Sequence, residues 1–210
     1  MYRGSFLNRC FRMAGLGLLC FTSLCTAGIV NGSFEQPTTS SFVYDPLDPT
    51  LAWTFTGRSG VAANTFFTGP APDGTQAAFV QQFMDQTGAN LSSISQSLTG
   101  VALAPTTLSF FIAARAGFVS NPVVVTYGSQ NLGTFTPAST AFSLVTINFT
   151  PTATSGNLVF HSAALTGGDL DTAIDNVTLT AAPVPEPASV ILFVPALVGL
   201  FCLRRRTASN

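Results

Sequence analysis

Short strand-like runs between turn residues constrain the fold of this chain more than any other feature. Residues 28–182 show no long stretch of helical periodicity and are rich in Thr, Ser, Val, Phe, Ala and Gly, a mixture that suits strands and tight connections. The pattern predicts an all-β sandwich of two sheets. Gly128-Ser129-Gln130-Asn131 predicts a hairpin connection. The predicted strands are Trp53–Arg58, Gln76–Gln82, Ser92–Leu98, Thr107–Ala114, Val123–Tyr127, Gly133–Thr136, Ser143–Thr150, Leu158–Ser162 and Ala173–Thr180.

The first 27 residues have the order of a secretory signal peptide. Three arginines precede an apolar stretch from Met13 to Leu24, and small residues follow it, with Arg3, Arg9 and Arg12 in front and Cys25-Thr26-Ala27 behind. This order predicts a signal peptide over residues 1–27 that is cleaved after Ala27. An uncleaved signal anchor is the alternative, whereas a lipidated Cys25 is disfavoured because Leu24 is large for the position before it.

The C-terminal end combines a proline-rich hinge, an apolar run and a basic cluster. Residues 188–203 carry no charge, and Arg204, Arg205 and Arg206 follow them directly. A helix of this length spans roughly 24 Å, whereas a bilayer core is about 30 Å thick. The segment therefore predicts a transient membrane helix over 188–203, with the arginines cytoplasmic. A buried core helix would show a polar face, and this run has none.

This tail resembles the PEP-CTERM sorting signal of Gram-negative bacteria. The resemblance covers residues 183–206 and rests on Val184, Pro185, Glu186 and Pro187, the apolar run, and Arg204, Arg205 and Arg206. It implies that a membrane exosortase recognises the Pro-Glu-Pro motif and passes the protein to the cell surface. Glu186 would then belong to a recognition site for another enzyme. The expected partners are the exosortase, the export machinery and, through the C-terminal helix, the membrane.

The segment between the two ends, residues 28–182, is long enough for one domain with its own core. It holds two arginines and no lysine against eight acidic residues, a net charge of −6. Nucleic-acid binding is excluded because it requires a basic face. All four cysteines, Cys10, Cys20, Cys25 and Cys202, lie outside this segment. The domain therefore has no disulfides and must rely on its core, which its phenylalanines predict to be aromatic-rich, or on a bound metal.

Both ends of the segment are similar to jelly-roll sandwiches with a galactose-binding-like fold, which occur in carbohydrate-binding modules. The resemblance rests on Asn31-Gly32-Ser33-Phe34-Glu35-Gln36-Pro37, Trp53-Thr54-Phe55-Thr56-Gly57 and Ala173-Ile174-Asp175-Asn176-Val177-Thr178-Leu179. It implies that Glu35 and Asp175 help to hold a structural calcium ion. Oxygen ligands suit Ca²⁺, and Asp169 and Asp171 could contribute from a loop. The alternative is that these are solvated turn carboxylates.

Aromatic side chains that stack on sugar rings would mark a carbohydrate binder. Tyr44, Phe66 and Phe67 lie near prolines in loop-like surroundings and are the candidates for ligand binding. Trp53 lies in an apolar strand pattern and is expected in the core.

No catalytic constellation stands out in the sequence. His161 lies within a strand-like run, where we expect it to face solvent or to bond locally. No serine lies in a nucleophile elbow, and the aspartate pair Asp169 and Asp171 resembles a turn more than a glycosidase site. The sequence thus predicts a protein that is not an enzyme.

These observations lead to a first hypothesis and two alternatives. The first is an exported, non-enzymatic cell-surface or extracellular-matrix protein of a Gram-negative bacterium, structural or adhesive, that is anchored transiently at the inner membrane. The second is a carbohydrate-binding module that holds an extracellular polysaccharide. The third is a secreted hydrolase with an unrecognised site.

Overall fold

The computed structural model describes residues 28–48, 50–64, 69–82, 92–163 and 169–182. These residues form eleven strands and no α-helix. The strands are β1 (Phe42–Tyr44), β2 (Thr54–Thr56), β3 (Ser59–Ala63), β4 (Gln76–Gln82), β5 (Ser93–Thr99), β6 (Thr106–Ala114), β7 (Val123–Tyr127), β8 (Gln130–Phe135), β9 (Ser143–Phe149), β10 (Ser155–Ser162) and β11 (Leu170–Ala181). Among the described residues, no helix has the length and apolarity needed to cross a membrane.

The strands form two antiparallel sheets. The six-stranded sheet has the order β1-β3-β4-β11-β6-β9, and the five-stranded sheet has the order β2-β5-β10-β7-β8. Neighbouring strands in each sheet are mostly distant in sequence, as when β4 pairs with β11. The sequence prediction of an all-β, two-sheet sandwich is confirmed.

The main core lies between the two sheets. Period-two alternation directs Val61, Val80, Phe110 and Ile174 of the six-stranded sheet towards the five-stranded sheet. Aromatic side chains fill the centre, where the rings of Phe110 and Phe160 meet edge to face with centroids 5.1 Å apart. The core is therefore aromatic-rich, as predicted.

Trp53 ties this core to the opening segment of the domain. Its ring is buried, packs 5.0 Å from the ring of Phe34, and donates a hydrogen bond from Nε1 to the Asn31 carbonyl at 2.9 Å. The backbone N–H of Val177 in β11 donates to the Gly32 carbonyl at 2.9 Å. The opening and closing segments thus lie side by side, and Trp53 is a core residue, as expected.

Most predicted strands occur within a few residues of their predicted bounds, whereas β1 and β3 were missed. β1 has only three residues and follows a run of Ser and Thr, and β3 reads Ser-Gly-Val-Ala-Ala, a composition with weak strand preference. Pairing with β4 and burial place β3 in the sheet despite that composition. The turn of the β7–β8 hairpin is Gly128-Ser129, shorter than the predicted four-residue connection.

The signal peptide with its cleavage site at Ala27, the sorting tail, and Phe66 and Phe67 lie outside the described residues.

Candidate functional site

The face of the six-stranded sheet that points away from the main core carries the candidate site. We call it the outer face. Its floor is made of four fully buried alanines and one phenylalanine, namely Ala62, Ala77, Phe79, Ala113 and Ala173. Because the alanine side chains are small, larger side chains from the surrounding strands can pack over them.

An aromatic edge borders this floor on strand β1. Phe42 and Tyr44 are 45% and 37% exposed, and their rings lie edge to face at 5.4 Å. The Tyr44 ring in turn lies edge to face on buried Phe79 at 5.2 Å. β1 can approach so closely because its neighbour is Gly60, where an added Cβ would collide with the Val43 carbonyl.

A polar group adjoins the aromatic edge. It comprises Tyr44, Gln81, Arg115, Asp169 and Asp171, and we call it the aspartate–arginine cluster. The Tyr44 hydroxyl donates to Gln81 Oε1 at 2.7 Å, and Gln81 Nε2 donates to Asp169 Oδ1. Gln81 therefore connects the aromatic edge to the carboxylates.

Arg115 links the two aspartates of this cluster. Its Nη1 lies 3.3 Å from Asp171 Oδ2 and 3.8 Å from Asp169 Oδ2. The guanidinium also stands 4.1 Å above the ring of Phe118, a cation–π geometry. Asp169 is 39% exposed at its side chain, whereas the Asp171 side chain is fully buried. Asp171 thus lies beneath a surface made by Tyr44, Arg115 and Asp169.

Burial determines the protonation of this cluster. Removal from water, with the opposing charge of Arg115 lowering the pKa and the charge of Asp169 raising it, brings the pKa of Asp171 to about 7. Asp171 Oδ1 is buried and accepts no hydrogen bond from any of the described residues. Burial, followed by the charges of Asp171 and Asp169, also raises the pKa of Tyr44. The cluster therefore carries less negative charge near neutral pH than its residue types suggest.

A second group of carboxylates lies further along β11. Asp171, Ala173 and Asp175 alternate onto the same outer face, and four residues of strand separate the two aspartates by about 13 Å.

Glu35 accepts hydrogen bonds at Oε1 from the backbone N–H groups of Thr75 and Gln76, both at 2.8 Å, and at Oε2 from the Thr75 hydroxyl at 2.9 Å. Glu35 thereby fixes the turn that precedes β4.

Asp175 holds the same turn from the other side. Its Oδ2 accepts from the Asp73 backbone N–H at 2.9 Å. Burial brings the pKa of Asp175 to about 7, against the lowering effect of the hydrogen bonds from Asp73 and Asn176 and with a smaller raising effect from the charges of Asp73 and Glu35. Gly74 at the tip has φ of +83°, and an added Cβ there would meet the Glu35 carboxylate. We call Glu35, Asp73, Thr75 and Asp175 the turn cluster.

The turn cluster meets the requirements of a calcium site in part. Asp175 Oδ1 is buried and has no hydrogen-bond partner in the part of the chain that the structure describes, which is the kind of oxygen that a hard cation would satisfy. Both oxygens of Glu35 already accept hydrogen bonds. Within the described residues, no three His, Cys, Asp or Glu side chains form a metal-ligand group. An ion here would therefore need backbone carbonyls or water beside the carboxylates, and calcium binding stays a prediction.

The structure separates the candidate residues into these two groups. Glu35 and Asp175 share one turn, and Tyr44 belongs to the aspartate–arginine cluster. Asp171 is a buried strand residue, so its interpretation as part of a solvated turn was wrong, and Asp175 is likewise buried in β11. His161 lies in β10 with Nδ1 3.0 Å from the Ser162 carbonyl oxygen, the local contact that we expected.

Sequence reasoning missed Gln81 and Arg115 as site residues. Gln81 is a polar residue inside the strand-like run Gln76–Gln82, and Arg115 is one of two arginines in residues 28–182. Both residues could be noticed in the sequence as unusual for their surroundings. Only the pairing of β4 and β6 with β11 brings their side chains together.

No protein-family model matches the chain, and no curated protein matches it. Among solved structures, an arabinose-bound α-L-arabinofuranosidase (MgGH51) is similar at 12% identity with a TM-score of 0.50, over 73% of this chain and 26% of that enzyme. The CBM22-1 xylan-binding domain from Paenibacillus barcinonensis Xyn10C matches at 16% identity and a TM-score of 0.48, over 76% and 99% of the two chains. A family 11 carbohydrate-binding module from Clostridium thermocellum matches at 15% identity and a TM-score of 0.43, over 68% and 95%. At these identities the similarity concerns the fold.

Proposed function

We propose that residues 28–182 form a galactose-binding-like jelly roll that binds an extracellular polysaccharide without cleaving it. The observation that supports this most directly is the pairing of an exposed aromatic edge, Phe42 and Tyr44, with the aspartate–arginine cluster on one sheet face. Binding sites for small ligands commonly combine apolar surface with a few oriented polar groups.

The aromatic edge suits the apolar face of a sugar ring. Tyr44 presents a ring and a hydroxyl at once, and Phe42 extends the apolar surface beside it. Both rings are held by packing, Tyr44 against Phe79 and Phe42 against Tyr44. A ring held in this way loses little side-chain entropy on binding.

The polar groups beside it suit sugar hydroxyls. Asp169 can accept hydrogen bonds from hydroxyl groups, and Arg115 can donate to them. Both are fixed, Asp169 by Gln81 and Arg115 by buried Asp171. We infer that Asp171 orients Arg115 and does not touch the ligand.

The same burial argues against hydrolysis. A glycosidase of the usual type needs two carboxyl groups that both reach the scissile bond. Of the two carboxyl groups in the aspartate–arginine cluster, only that of Asp169 is exposed, since the Asp171 side chain is fully buried. We therefore propose a binding protein that is not an enzyme.

Replacing Tyr44 tests this proposal. Glycan-array screening of the purified segment 28–182 should identify a bound polysaccharide, and this segment retains both sheets, which lie between Phe42 and Ala181. Tyr44→Ala should weaken binding by about 10- to 100-fold in isothermal titration, because it removes both the stacking ring and the link to Gln81.

Leu103→Ala is the matched control for this prediction. Leu103 is 59% exposed and precedes β6 at the strand end opposite Arg115, so its truncation should leave binding unchanged. Binding to no glycan, or equal weakening by both variants, would contradict the proposal, and polysaccharide turnover by the wild-type segment would contradict the non-enzymatic assignment.

We further propose that the C-terminal tail, residues 183–206, delivers this domain to the cell surface as an exosortase substrate. Support comes from the order of its parts, in which the Pro-Glu-Pro motif, the apolar run and the three arginines follow directly on β11. The N-terminal signal peptide would start export, and the tail would hold the protein at the inner membrane until it is processed.

Glu186→Ala tests the delivery step. If an exosortase reads the motif, the variant should accumulate unprocessed in the membrane fraction, and the amount released at the surface should fall at least severalfold on immunoblots. Glu35→Ala is not a suitable control because it disturbs the turn before β4. Asp48→Asn is the control, because it removes the charge of an exposed residue and keeps the Oδ1 acceptor for the N–H and hydroxyl of Thr50. Unchanged release of the Glu186 variant would refute the sorting hypothesis.

A further inference from the structure

The four edges of the sandwich are not protected equally. Strands β1 and β2, at one edge of each sheet, have three residues each. Strand β8 pairs with β7 through a register irregularity and carries Gly133 at φ of +133°. Strand β9 has seven residues in unbroken register with β6, and no charge, proline or glycine. Short edges and irregularities discourage strand pairing, and β9 has neither feature.

The free backbone groups of β9 can be identified. The Ala114 N–H bonds to Ser139 O, and the Ile112 carbonyl accepts from the Ser143 hydroxyl, so the even-numbered residues of β6 bond towards β9. Their partners Ser143, Val145, Ile147 and Phe149 therefore use their N–H and C=O groups within the sheet. The backbone groups of Leu144, Thr146 and Asn148 point outward. All three residues are exposed, and no described strand pairs with that edge.

Apolar side chains accompany this edge. The mouth of the sandwich between β8 and β9 is lined by residues that pack on the core but are only partly buried, namely Leu132, Phe135, Val145, Ile147 and Phe149. Leu144 on the opposite face of β9 is 57% exposed. An added strand along β9 would shield this apolar surface from water.

We propose that β9 pairs antiparallel with β9 of a second copy of this chain about a twofold axis at Thr146. Thr146 then faces its own symmetry mate, and Leu144 faces Asn148 of the other copy, so that each outward N–H meets an outward C=O. Between these pairs, Val145 of one copy faces Ile147 of the other. Thr–Thr and β-branched pairs are favourable cross-strand neighbours.

Charge distribution favours a second copy as the occupant. The acidic residues of the described domain lie in segments 35–73 and 169–175, and β7 to β9 carry no charged residue. Two copies of a domain with a net charge of −6 repel each other least when they meet at this uncharged edge. A strand pair buries little area, so we expect a weak dimer, below about 1,200 Å² of interface.

Sedimentation velocity of segment 28–182 over a concentration series tests the proposal. The wild type should shift from monomer to dimer towards roughly millimolar concentration, as expected for a weak interface. Thr146→Lys places two like charges opposite each other at the axis and should weaken dimerisation at least tenfold. Its side chain is exposed, so the monomer should keep its melting temperature.

Thr99→Lys is the matched control, because Thr99 is an exposed residue of β5 away from this edge. Thr146→Glu alone should also be monomeric, but an equimolar mixture with Thr146→Lys should form heterodimers. A wild type that stays monomeric, a dimer that Thr146→Lys leaves intact, or a mixture that does not associate would each overturn the proposal.

Discussion

The free energy of unfolding should fall as the pH rises from 5 to 8. Asp171 and Asp175 both have a pKa raised to about 7 in the folded protein against an ordinary value of 3.8. Between these values the two carboxyls bind more protons in the folded state than in the unfolded state. The stability that they contribute is therefore fully present below their ordinary pKa and is lost as the pH rises through the folded-state value. A shift of this size allows up to about 4 kcal/mol for each group. Relaxation around the ionised groups leaves about 2 kcal/mol in total, a fall in Tm of roughly 4–8 °C.

Replacing each aspartate by asparagine should show how much of the pH dependence of stability comes from Asp171 and how much from Asp175. Asp175→Asn retains an acceptor for the Asp73 N–H and should remove about half of the pH slope in thermal melts in EGTA, with Asp171→Asn removing the other half. Leu103→Ala changes an exposed side chain that does not titrate and should leave the slope unchanged. A flat wild-type profile, or a slope that survives both variants, would contradict the assignment.

Calcium should offset the loss of stability that ionisation of Asp175 causes at the turn cluster. An ion that binds ionised Asp175 stabilises the folded state by mass action, so millimolar Ca²⁺ should raise the Tm at pH 8 more than at pH 5. The increase should disappear in Asp175→Asn and persist in Asp171→Asn, which lies about 13 Å away along β11. No shift with calcium would remove the calcium proposal and leave the pH prediction standing.

The sequence revealed the class of this fold because its signals are local. Alternation within strands such as β7, and turn residues between them, depend on neighbours in the chain. Short β1 and Ala-rich β3 carry almost no local signal, since their place is set by pairing with each other and with β4. The strand order, in which β11 lies between β4 and β6, joins residues too far apart for periodicity to report.

The candidate site was predicted in fragments for the same reason. Tyr44, Glu35 and Asp175 could be chosen as residue types near recognisable motifs. The link from Tyr44 through Gln81 to Asp169 spans β1, β4 and the start of β11, so it exists only in the folded sheet. Asp171 was interpreted together with Asp169 as part of a turn. The register Asp171–Gln81 shows instead that the strand already extends through it.

Trp53→Ala should be the most destabilising single substitution considered for this domain, with a loss of about 3–5 kcal/mol. Trp53 is buried between Phe34 and Phe160 and bonds to the Asn31 carbonyl. Truncation leaves a cavity at the point where the opening segment meets β11. It also removes one of the two hydrogen bonds that the Asn31 carbonyl accepts, since the Phe34 N–H still donates to it at 3.1 Å. By the usual scaling, the Tm should fall by roughly 10–15 °C.

Trp53→Phe separates the two contributions to that loss. A phenyl ring fills most of the space but cannot donate to Asn31, so it should cost about 1–2 kcal/mol. Leu103→Ala, at an exposed position, should change stability by less than about 0.5 kcal/mol. Urea titrations of segment 28–182 provide the measurement. Equal losses for the Ala and Phe variants would assign the effect to the hydrogen bond alone. A small loss for Trp53→Ala would mean that the ring does not hold the opening segment to the core. The side-by-side arrangement of the two ends would then depend on the hydrogen bond from the Val177 N–H to the Gly32 carbonyl. It would also depend on Glu35 and Asp175, which bind the same turn.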